Sequence, residues 1–501
     1  MHGTLTLPAV PEGAGAEDGE GYLTGADLAA TLANRCFSFL RPLLVQLDKH
    51  VDVRLVRTLA ETVTAVVRHR NRPLALLLSE LGALLAGPEH APAGTKRLGN
   101  LIHSDHWQAV EIDDYLLGHA AERVEAEADK VAEGRALCIL DGSVLEKPES
   151  TKAEGLVPVR SAKARRLSRP RPKLGKGYYR GKPGGPIVVP GFMWLGVLVA
   201  GWTAVAQHLT LGAWYPYSTP RPEAAAQEQG QAAVPRQREQ EAALSLLERV
   251  SEGWGVDRLL HVWDRGFCGA PWLGQVLDRG WHFVVRWKKG NKLRPTTAAS
   301  VGDPTATAYR QECDGVKAWQ LTRGKNWGQQ QIANPRNPQQ PLTVGFAAWQ
   351  VCLLHREEPL WLVVVRLGKA TKRRRGGNEP WRLLTTESVY TVEQCWRIVE
   401  AYAARWRVEG MLRFGKSELG IESVRVRDWQ PRGKLLAVAS LVYAFLLDLL
   451  SGSSPQMLVA ILRWAHRTGR QAAGAWDSLY RLRAALASLW QRHTPAFREM
   501  L

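Results

Sequence analysis

The sequence predicts a mixed α/β protein that begins with helices, and three observations support this fold class. Apolar residues recur at three- and four-residue spacing from Ala26 to about Leu117, which is the period of amphipathic helices. From about residue 136, compact apolar runs bounded by turn residues alternate with helical stretches, which is typical of a mixed sheet covered by helices. A helical pattern resumes at Thr391 and continues through a long apolar stretch.

The first 130 residues divide into a tail and a helical region. Residues 1–22 are rich in Gly, Ala and acid and predict a disordered tail, and they lack the charged and apolar regions of a secretory signal. Residues 23–130 predict an all-α N-terminal domain. It contains ADLAATLANRCFSFLRPLLVQL, RLVRTLAETVTAVV, RPLALLLSELGALLAG and a short basic helix in GTKRLGNLIHSDHW (94–107). Lys96 and Arg97 of that basic helix are candidates for reading DNA.

The segment predicted to form the sheet begins at residue 131. Its strand candidates are ALCILDGS (136–143), residues 184–201, residues 204–218, RLLHVWDRG (258–266) and WHFVVRWKKG (281–290), with the helix QREQEAALSLLERVSEG between the third and the fourth. We expect a first core segment at 131–290, a mostly β insertion at 291–380 and a second core segment at 381–450. A helical region follows at 451–501.

Charge and cysteine usage limit the classes of partner and compartment. The 501 residues carry a formal net charge of +18, which favours a polyanion, nucleic acid first and an acidic membrane surface second. The apolar run 435–450 is interrupted by Asp448, so we expect a core helix and no membrane partner. Six scattered cysteines form no Cys-x-x-Cys pair, which argues against disulfides and zinc and favours a cytoplasmic protein. His103, Asp105 and His106 lack metal-ligand spacing and are interpreted as ordinary polar residues.

Three carboxylates stand where a metal site could form. Asp141 and Asp264 each close an apolar run, where side chains reach the crevice at the end of a sheet. Glu409 lies in the helical stretch YAARWRVEGMLRFGK (402–416). At 100° per residue it shares a stripe of about 60° with three neighbours, Tyr402, Arg405 and Lys416, whereas Ala403, Met411 and Phe414 project the other way.

Convergence of these acids would require a bound cation or raised pKa values. Two carboxylates ~4 Å apart repel by about 4 kcal/mol at an effective dielectric constant of 20. All-oxygen ligands suit Mg²⁺ or Mn²⁺, and a pair of such ions can cleave a phosphodiester. Two alternatives stay open at this point: each aspartate can be a simple turn or cap, and the helical stripe can be a solvated face.

The spacing Tyr402-x2-Arg405-x3-Glu409-x6-Lys416 resembles the Y-(2)-R-(3)-E-(6)-K motif of the IS4-type DDE transposases. LDGSVLEKPES with Asp141 and HVWDRGF with Asp264 resemble the blocks that hold that family's two catalytic aspartates. The resemblance covers roughly residues 95–450. It implies an RNase H-like mixed sheet with helices on both faces, interrupted by a mostly β insertion and preceded by an all-α N-terminal domain.

The resemblance also implies a reaction and roles for individual residues. The reaction is cut-and-paste transposition, in which metal-activated water and then a 3′-OH attack phosphodiesters. Asp141, Asp264 and Glu409 would bind two Mg²⁺ ions, with Mn²⁺ as a substitute. Tyr402, Arg405 and Lys416 would contact phosphates, and Trp381 would stack on a flipped base. A place for Trp381 in the core is equally compatible with the sequence, which has 20 tryptophans.

The implied partners are double-stranded terminal inverted repeats and target DNA, bound by a homodimer. Three basic tracts, residues 160–182, 286–294 and 369–377, are candidates for further phosphate contacts. Two alternative functions remain: a domesticated RNase H-like nuclease that cuts without joining, and a DNA-binding regulator without catalysis. A glycosidase that uses two of the acids would leave the charge of +18 unexplained.

Overall fold

The structure is a computed structural model that describes twelve parts of the chain. These are residues 24–69, 74–127, 135–150, 152–161, 187–200, 213–217, 239–301, 315–321, 328–332, 341–367, 379–465 and 479–495. The predicted tail, most of the tract 160–182 and the whole tract 369–377 lie outside the described residues.

A twelve-stranded mixed sheet forms the centre of the described chain. Its strands are β1 (Ala136–Glu146), β2 (Val157–Arg160), β3 (Val188–Ala200), β4 (Ala213–Tyr217), β5 (Leu259–Trp263), β6 (His282–Arg286), β7 (Lys292–Val301), β8 (Val316–Lys317), β9 (Gly328–Ile332), β10 (Leu342–Cys352), β11 (Leu360–Leu367) and β12 (Trp381–Thr385). The order across the sheet is β2-β3-β1-β5-β6-β12-β11-β10-β7-β8, with β4 on β3 and β9 on β10.

The middle of the sheet is parallel, and its register places two acids side by side. β1 pairs parallel with β5, and Ile139 is the partner of Val262. Asp141 and Asp264 each come two residues after that pair, on neighbouring strands about 4.8 Å apart. β6 continues the parallel pairing beyond β5, while β3 pairs antiparallel with β1 on its other side. Both aspartates therefore lie just beyond the end of the parallel pairing, Asp141 within β1 and Asp264 directly after β5.

The strands of the predicted insertion extend this sheet. β12 pairs with both β6 and β11, so hydrogen bonding passes without a break from the parallel strands to β10 and β7. Mostly buried apolar side chains line β11, as expected for a strand covered on both faces. The mixed sheet confirms the predicted α/β class and is consistent with an RNase H-like arrangement. The predicted domain limits stay a prediction.

Helices from both ends of the chain pack together beside the sheet. The helices are α1 (Gly25–Leu47), α2 (Val53–Arg68), α3 (Leu78–Ala86), α4 (Ala91–His103), α5 (Ala109–Glu127), α6 (Glu239–Glu252), α7 (Ala270–Asp278), α8 (Ala318–Leu321), α9 (Val392–Ala404), α10 (Trp406–Ser417), α11 (Trp429–Gly452), α12 (Pro455–Leu462) and α13 (Leu479–Arg492). α11 packs against α2, α4 and α5, and α13 packs against α2. The N-terminal helices thus share their core with the C-terminal ones.

Helix α11 contains the longest apolar run of the described chain. By length and composition alone it could cross a membrane, but 78% of its most apolar window is buried inside the protein. The run predicted as a core helix is therefore covered by the neighbouring helices. Its buried cations, Arg432 and Lys434, both donate to backbone carbonyl groups.

One buried histidine of the central sheet makes stability depend on pH. His261 on β5 is 1% exposed and packs between the rings of Trp263 and Trp281, and burial lowers its pKa to about 3. The unfolded chain binds a proton near pH 6.5 and the folded chain does not, so stability falls as pH drops from 6.5 toward 3. We expect His261→Phe to reduce the loss between pH 7 and pH 4 by about 2–3 kcal/mol in urea unfolding.

His90→Phe is the matched control, because His90 is an exposed histidine outside the sheet. An unchanged pH slope in His261→Phe would show that this histidine is not the group responsible.

Candidate active site

Asp141 and Asp264 each accept a hydrogen bond from a nearby backbone N–H, which fixes the position of the carboxylate. Asp141 lies within β1, and its carboxylate accepts a hydrogen bond from the N–H of Gly142 at 2.8 Å. Asp264 caps a short 3₁₀ turn at Arg265–Phe267 and accepts from the N–H of Gly266 at 2.6 Å. A Cβ at position 266 would lie 2.7 Å from that carboxylate oxygen, so a side chain there would displace the Asp264 carboxylate from this position.

Glu409 is positioned by two consecutive helices. Thr391 starts α9 with a capping box, in which its side chain and that of Gln394 satisfy each other's backbone N–H groups. The sequence predicts one continuous helix, but the chain changes from α9 to α10 at Arg405. The φ and ψ angles there, −51° and −32°, remain right-handed helical, so side chains keep roughly the predicted angular order. Met411 and Phe414 face the core, as predicted.

The Arg405 guanidinium joins two of the acids. Its Nη1 donates to Oδ2 of Asp141 at 3.2 Å, and its Nη2 donates to Oε1 of Glu409 at 2.6 Å. The Arg405 side chain is 10% exposed, against 20% for Asp141 and 31% for Glu409. Residues far apart in sequence therefore meet at one partly buried cation, where ion pairs are screened less than on the surface.

The pKa of Asp141 reflects all three acids. Burial is the main cause of its net rise to about 6, and the positive charge of Arg405 opposes that rise. The negative charges of Asp264 and Glu409 also favour a higher pKa, whereas the hydrogen bond from the Gly142 N–H favours a lower one. Because each of the other two carboxylates acts on this one, the three form a single electrostatic cluster.

The donor chemistry of this cluster fits a hard divalent cation, since carboxylate oxygens are the ligands that Mg²⁺ and Mn²⁺ prefer. The side chains are not arranged as a ready cage, however. Within the described ranges, no group of three or more His, Cys, Asp or Glu side chains could hold a metal ion as placed. Arg405 provides the positive charge between Asp141 and Glu409 in this arrangement.

Tyr402 and Trp381 form an aromatic pair beside Arg405. Tyr402 is 2% exposed and therefore buried, although it shares the predicted helical stripe. Its ring meets that of Trp381, the first residue of β12, edge to face at 5.3 Å. The Arg405 guanidinium lies 5.8 Å from the Tyr402 ring. Burial raises the pKa of Tyr402, and the charge of Asp264 adds to that rise. Trp381 is half-buried and adjoins the acid cluster through Tyr402.

The other three cations predicted to bind DNA, Lys416, Arg97 and Lys96, lie outside the acid cluster. Lys416 donates from Nζ to the carbonyl oxygen of Val144 on β1 at 2.6 Å. Arg97 on α4 pairs with Glu61 of α2 at 2.8 Å and lines a groove of about 660 Å³ between the N-terminal helices. Lys96, on the same helix, is exposed. The structure therefore brings together Asp141, Asp264, Arg405 and Glu409, with Tyr402 and Trp381 beside them.

Trp406, at the start of α10, is 50% exposed and is not among the residues predicted for the site. The guanidinium of Arg405 lies 5.4 Å from its ring. An exposed tryptophan beside a site of charged groups is a surface on which a base could stack. Its position directly after Arg405 in YAARWRVEG was the available signal.

Residues 239–445 match the family model described as the transposase DDE domain. The matched segment contains Asp264, Arg405 and Glu409, and Asp141 precedes it. The match supports a transposase of the DDE type, and therefore an enzyme with DNA as its partner. A comparison with curated proteins finds no match.

The ion pairs of Arg405 predict a pH-dependent loss of stability in Arg405→Gln. At pH 8 the variant leaves two carboxylates without their cation, which should lower the free energy of unfolding by about 1–3 kcal/mol. At pH 5 Asp141 takes up a proton, because its pKa is about 6, and the loss should shrink. Urea unfolding at both pH values measures the difference.

Arg413→Gln is the control on the same helix, because Arg413 is exposed and a surface change there should stay within about 0.5 kcal/mol. Equal losses in Arg405→Gln at pH 5 and pH 8 would contradict the assignment of the effect to Asp141.

Proposed function

We propose that this chain is an IS4-type DDE transposase that moves an insertion sequence by cut-and-paste transposition. The observation that carries the proposal is the bridge from Arg405 to Asp141 and Glu409. It adds the motif glutamate to a pair of aspartates that the parallel register places side by side. The match of residues 239–445 to the transposase DDE domain supports the broader part of this assignment, a transposase of the DDE type.

In the proposed site Asp141, Asp264 and Glu409 would hold two Mg²⁺ ions, with Mn²⁺ as a substitute. When bound, these ions would supply activation of water and stabilisation of the leaving oxygen. The chain's own contribution is to orient the acids: β1 and β5 fix the two aspartates, and α10 fixes the glutamate. Arg405 is a planar, permanently charged donor, which suits a phosphate oxygen as well as a carboxylate.

The DNA would lie along the edge of the sheet where these acids meet. Tyr402 and Arg405 are the proposed phosphate contacts, and Trp381 is the proposed base platform. Lys96 and Arg97 are proposed to contact the terminal repeat from the N-terminal helices. Two ends must be joined in one reaction, so we propose a homodimer on DNA. We propose the cytoplasm as its location, in keeping with the unpaired cysteines among the described residues.

Two alternatives use the same fold without transposition. A domesticated nuclease would nick DNA and join nothing, whereas a regulator without catalysis would bind DNA and cut nothing. The comparisons give neither alternative any support. An intact set of three carboxylates also argues against the regulator, since a decayed site usually loses at least one.

Substitution of any one acid should abolish cleavage. We expect Asp141→Asn, Asp264→Asn and Glu409→Gln to lose Mg²⁺-dependent cleavage of a duplex that carries the element's own terminal repeat. Binding of that duplex should stay largely intact, because the neutral amides remove the metal ligands and leave the DNA contacts. A gel assay with the inverted repeats that flank the gene measures cleavage, and a mobility-shift assay measures binding.

Glu393→Gln is the control for these variants, because Glu393 is exposed in the first turn of α9. Full cleavage by any of the three acid variants would contradict the proposed site, and a wild-type protein that nicks without joining would favour the nuclease.

Trp381 should contribute to the handling of a flipped base. Stacking of one base on an aromatic ring is worth about 1–3 kcal/mol. We therefore expect Trp381→Ala to weaken capture of that base by roughly 5- to 150-fold, and Trp381→Phe to keep part of it. Fluorescence of 2-aminopurine placed in the terminal repeat reports the unstacked base.

Trp319→Ala provides the comparison, since Trp319 is 37% exposed and lies on helix α8 of the predicted insertion. Loss of stability in Trp381→Ala with unchanged 2-aminopurine fluorescence would identify Trp381 as a packing residue only.

A further inference from the structure

Two lysines link β1 to α10 and to the segment that follows α10. Lys416 on α10 donates from Nζ to the carbonyl oxygen of Val144 on β1 at 2.6 Å. Lys147, the residue after β1, donates from Nζ to the carbonyl oxygens of Glu422 and Val424, the latter at 2.6 Å. Each lysine therefore binds backbone carbonyl groups that belong to the other's part of the chain.

The contacts of Arg405 and Lys416 follow the same order along β1 as along the chain. Arg405, directly before α10, donates to Asp141, and Lys416, near the end of α10, donates to Val144. Arg405 and Lys416 are eleven residues apart, or about 16.5 Å along a helix, whereas Asp141 and Val144 are about 10 Å apart along a strand, and the two long side chains span the difference. α10 therefore runs beside β1 in the same direction.

Burial of Lys147 indicates that its charge has a structural purpose. The residue is 2% exposed, and removal of an ammonium group from water is strongly unfavourable unless acceptors surround it. Burial lowers the pKa of Lys147 to about 8, and the carboxylates of Glu149 and Glu422 oppose that shift. The accepting carbonyls lie in and just after the 3₁₀ turn Ile421–Ser423. A methionine here would pack without the desolvation cost, but it could not bind those carbonyls.

Lys416 and Glu422 extend this connection on the exposed side. The Nζ of Lys416 lies 3.9 Å from the carboxylate of Glu422, whose backbone carbonyl is bound by Lys147. The Lys416 side chain is 29% exposed and that of Glu422 is 19% exposed. Both lysines therefore contact Glu422 in the turn Ile421–Ser423, Lys147 from the buried side and Lys416 from the more exposed side.

We propose that Lys147 and Lys416 are positioning residues that set the distance between Asp141 and Glu409. The inference rests on the proposed function of those two acids. It assigns Lys416 to contacts within the protein, whereas the family resemblance implies a contact with DNA phosphate. Loss of either lysine would let α10 shift along β1, and the carboxylates would then lose the mutual placement on which cleavage depends.

The test compares binding with cleavage in Lys147→Met, Lys416→Met and the double variant. Methionine keeps most of the apolar stem and removes the donor. Binding is measured on a terminal-repeat duplex with Ca²⁺ in place of Mg²⁺, and cleavage is measured as a single-turnover rate with Mg²⁺. We expect each single variant to cleave at least tenfold more slowly and to need more Mg²⁺ for half its maximal rate. Its Kd should stay within about twofold of the wild type, and the double variant should be less impaired than the product of the single effects.

Lys434→Met is the matched control. Lys434 is also 2% exposed, and its Nζ donates to the carbonyl oxygen of Ser104 at 2.6 Å, on α11 and away from β1. The same substitution there should lower stability and leave the cleavage rate per folded molecule unchanged. A general loss of stability would affect all three lysine variants alike, whereas a positioning effect separates Lys147 and Lys416 from Lys434.

The outcomes distinguish the inference from the proposed function. If Lys416→Met weakens DNA binding and lowers the slope of log Kd against log salt by about 0.9, Lys416 contacts a phosphate and its positioning role is overturned. Wild-type cleavage rates in Lys147→Met overturn the inference for Lys147. If Lys147→Met does not fold, the partly exposed Lys416 carries the test alone. A wild-type protein that cleaves no terminal repeat overturns the proposed function itself.

Discussion

Parallel pairing of β1 with β5 is the constraint on which the rest of the candidate site depends. In parallel strands, residues at the same offset from a paired position stay side by side, and this register puts Asp141 next to Asp264. A slip of one residue would turn one aspartate to the opposite face of the sheet. The turn after β5 then holds Asp264 through the N–H of Gly266. Arg405, which comes later in the chain, then connects Glu409 to Asp141 of this pair.

The electrostatic balance of the site follows from that placement. Two neighbouring carboxylates are already unfavourable in a half-buried setting, and Glu409 adds a third negative charge. Arg405 offsets part of this repulsion from within the same helical region, and its contacts with Tyr402 and Trp406 limit how far the guanidinium can move. The net charge of +18 does not replace this local cation, because salt screens the interaction between surface charges that are more than about 8–10 Å apart.

Much of the fold and part of the site could be predicted from local sequence signals. The apolar runs that became β1 and β5, and the helical angles that grouped Arg405 with Glu409, depend only on neighbouring residues. Burial of Tyr402 could not be predicted, because angular position gives a side chain's direction but not what covers it. The burial of Lys147 could not be predicted either, because lysines are almost never fully buried and a single lysine after a strand gives no sign of burial. The continuous sheet through β12 depends on pairing between distant segments, which no local pattern encodes.

The joining of the N-terminal helices to α11 and α13 has a consequence for synthesis of the chain. Helices α2, α4 and α5 are made before α11 and α13, which cover their apolar faces. β12, which joins β6 to β11 in the sheet, is made after both of them. A nascent chain therefore contains both aspartates long before it contains Arg405 and Glu409. A product interrupted before Arg405 would expose apolar helix faces and lack the glutamate of the cluster.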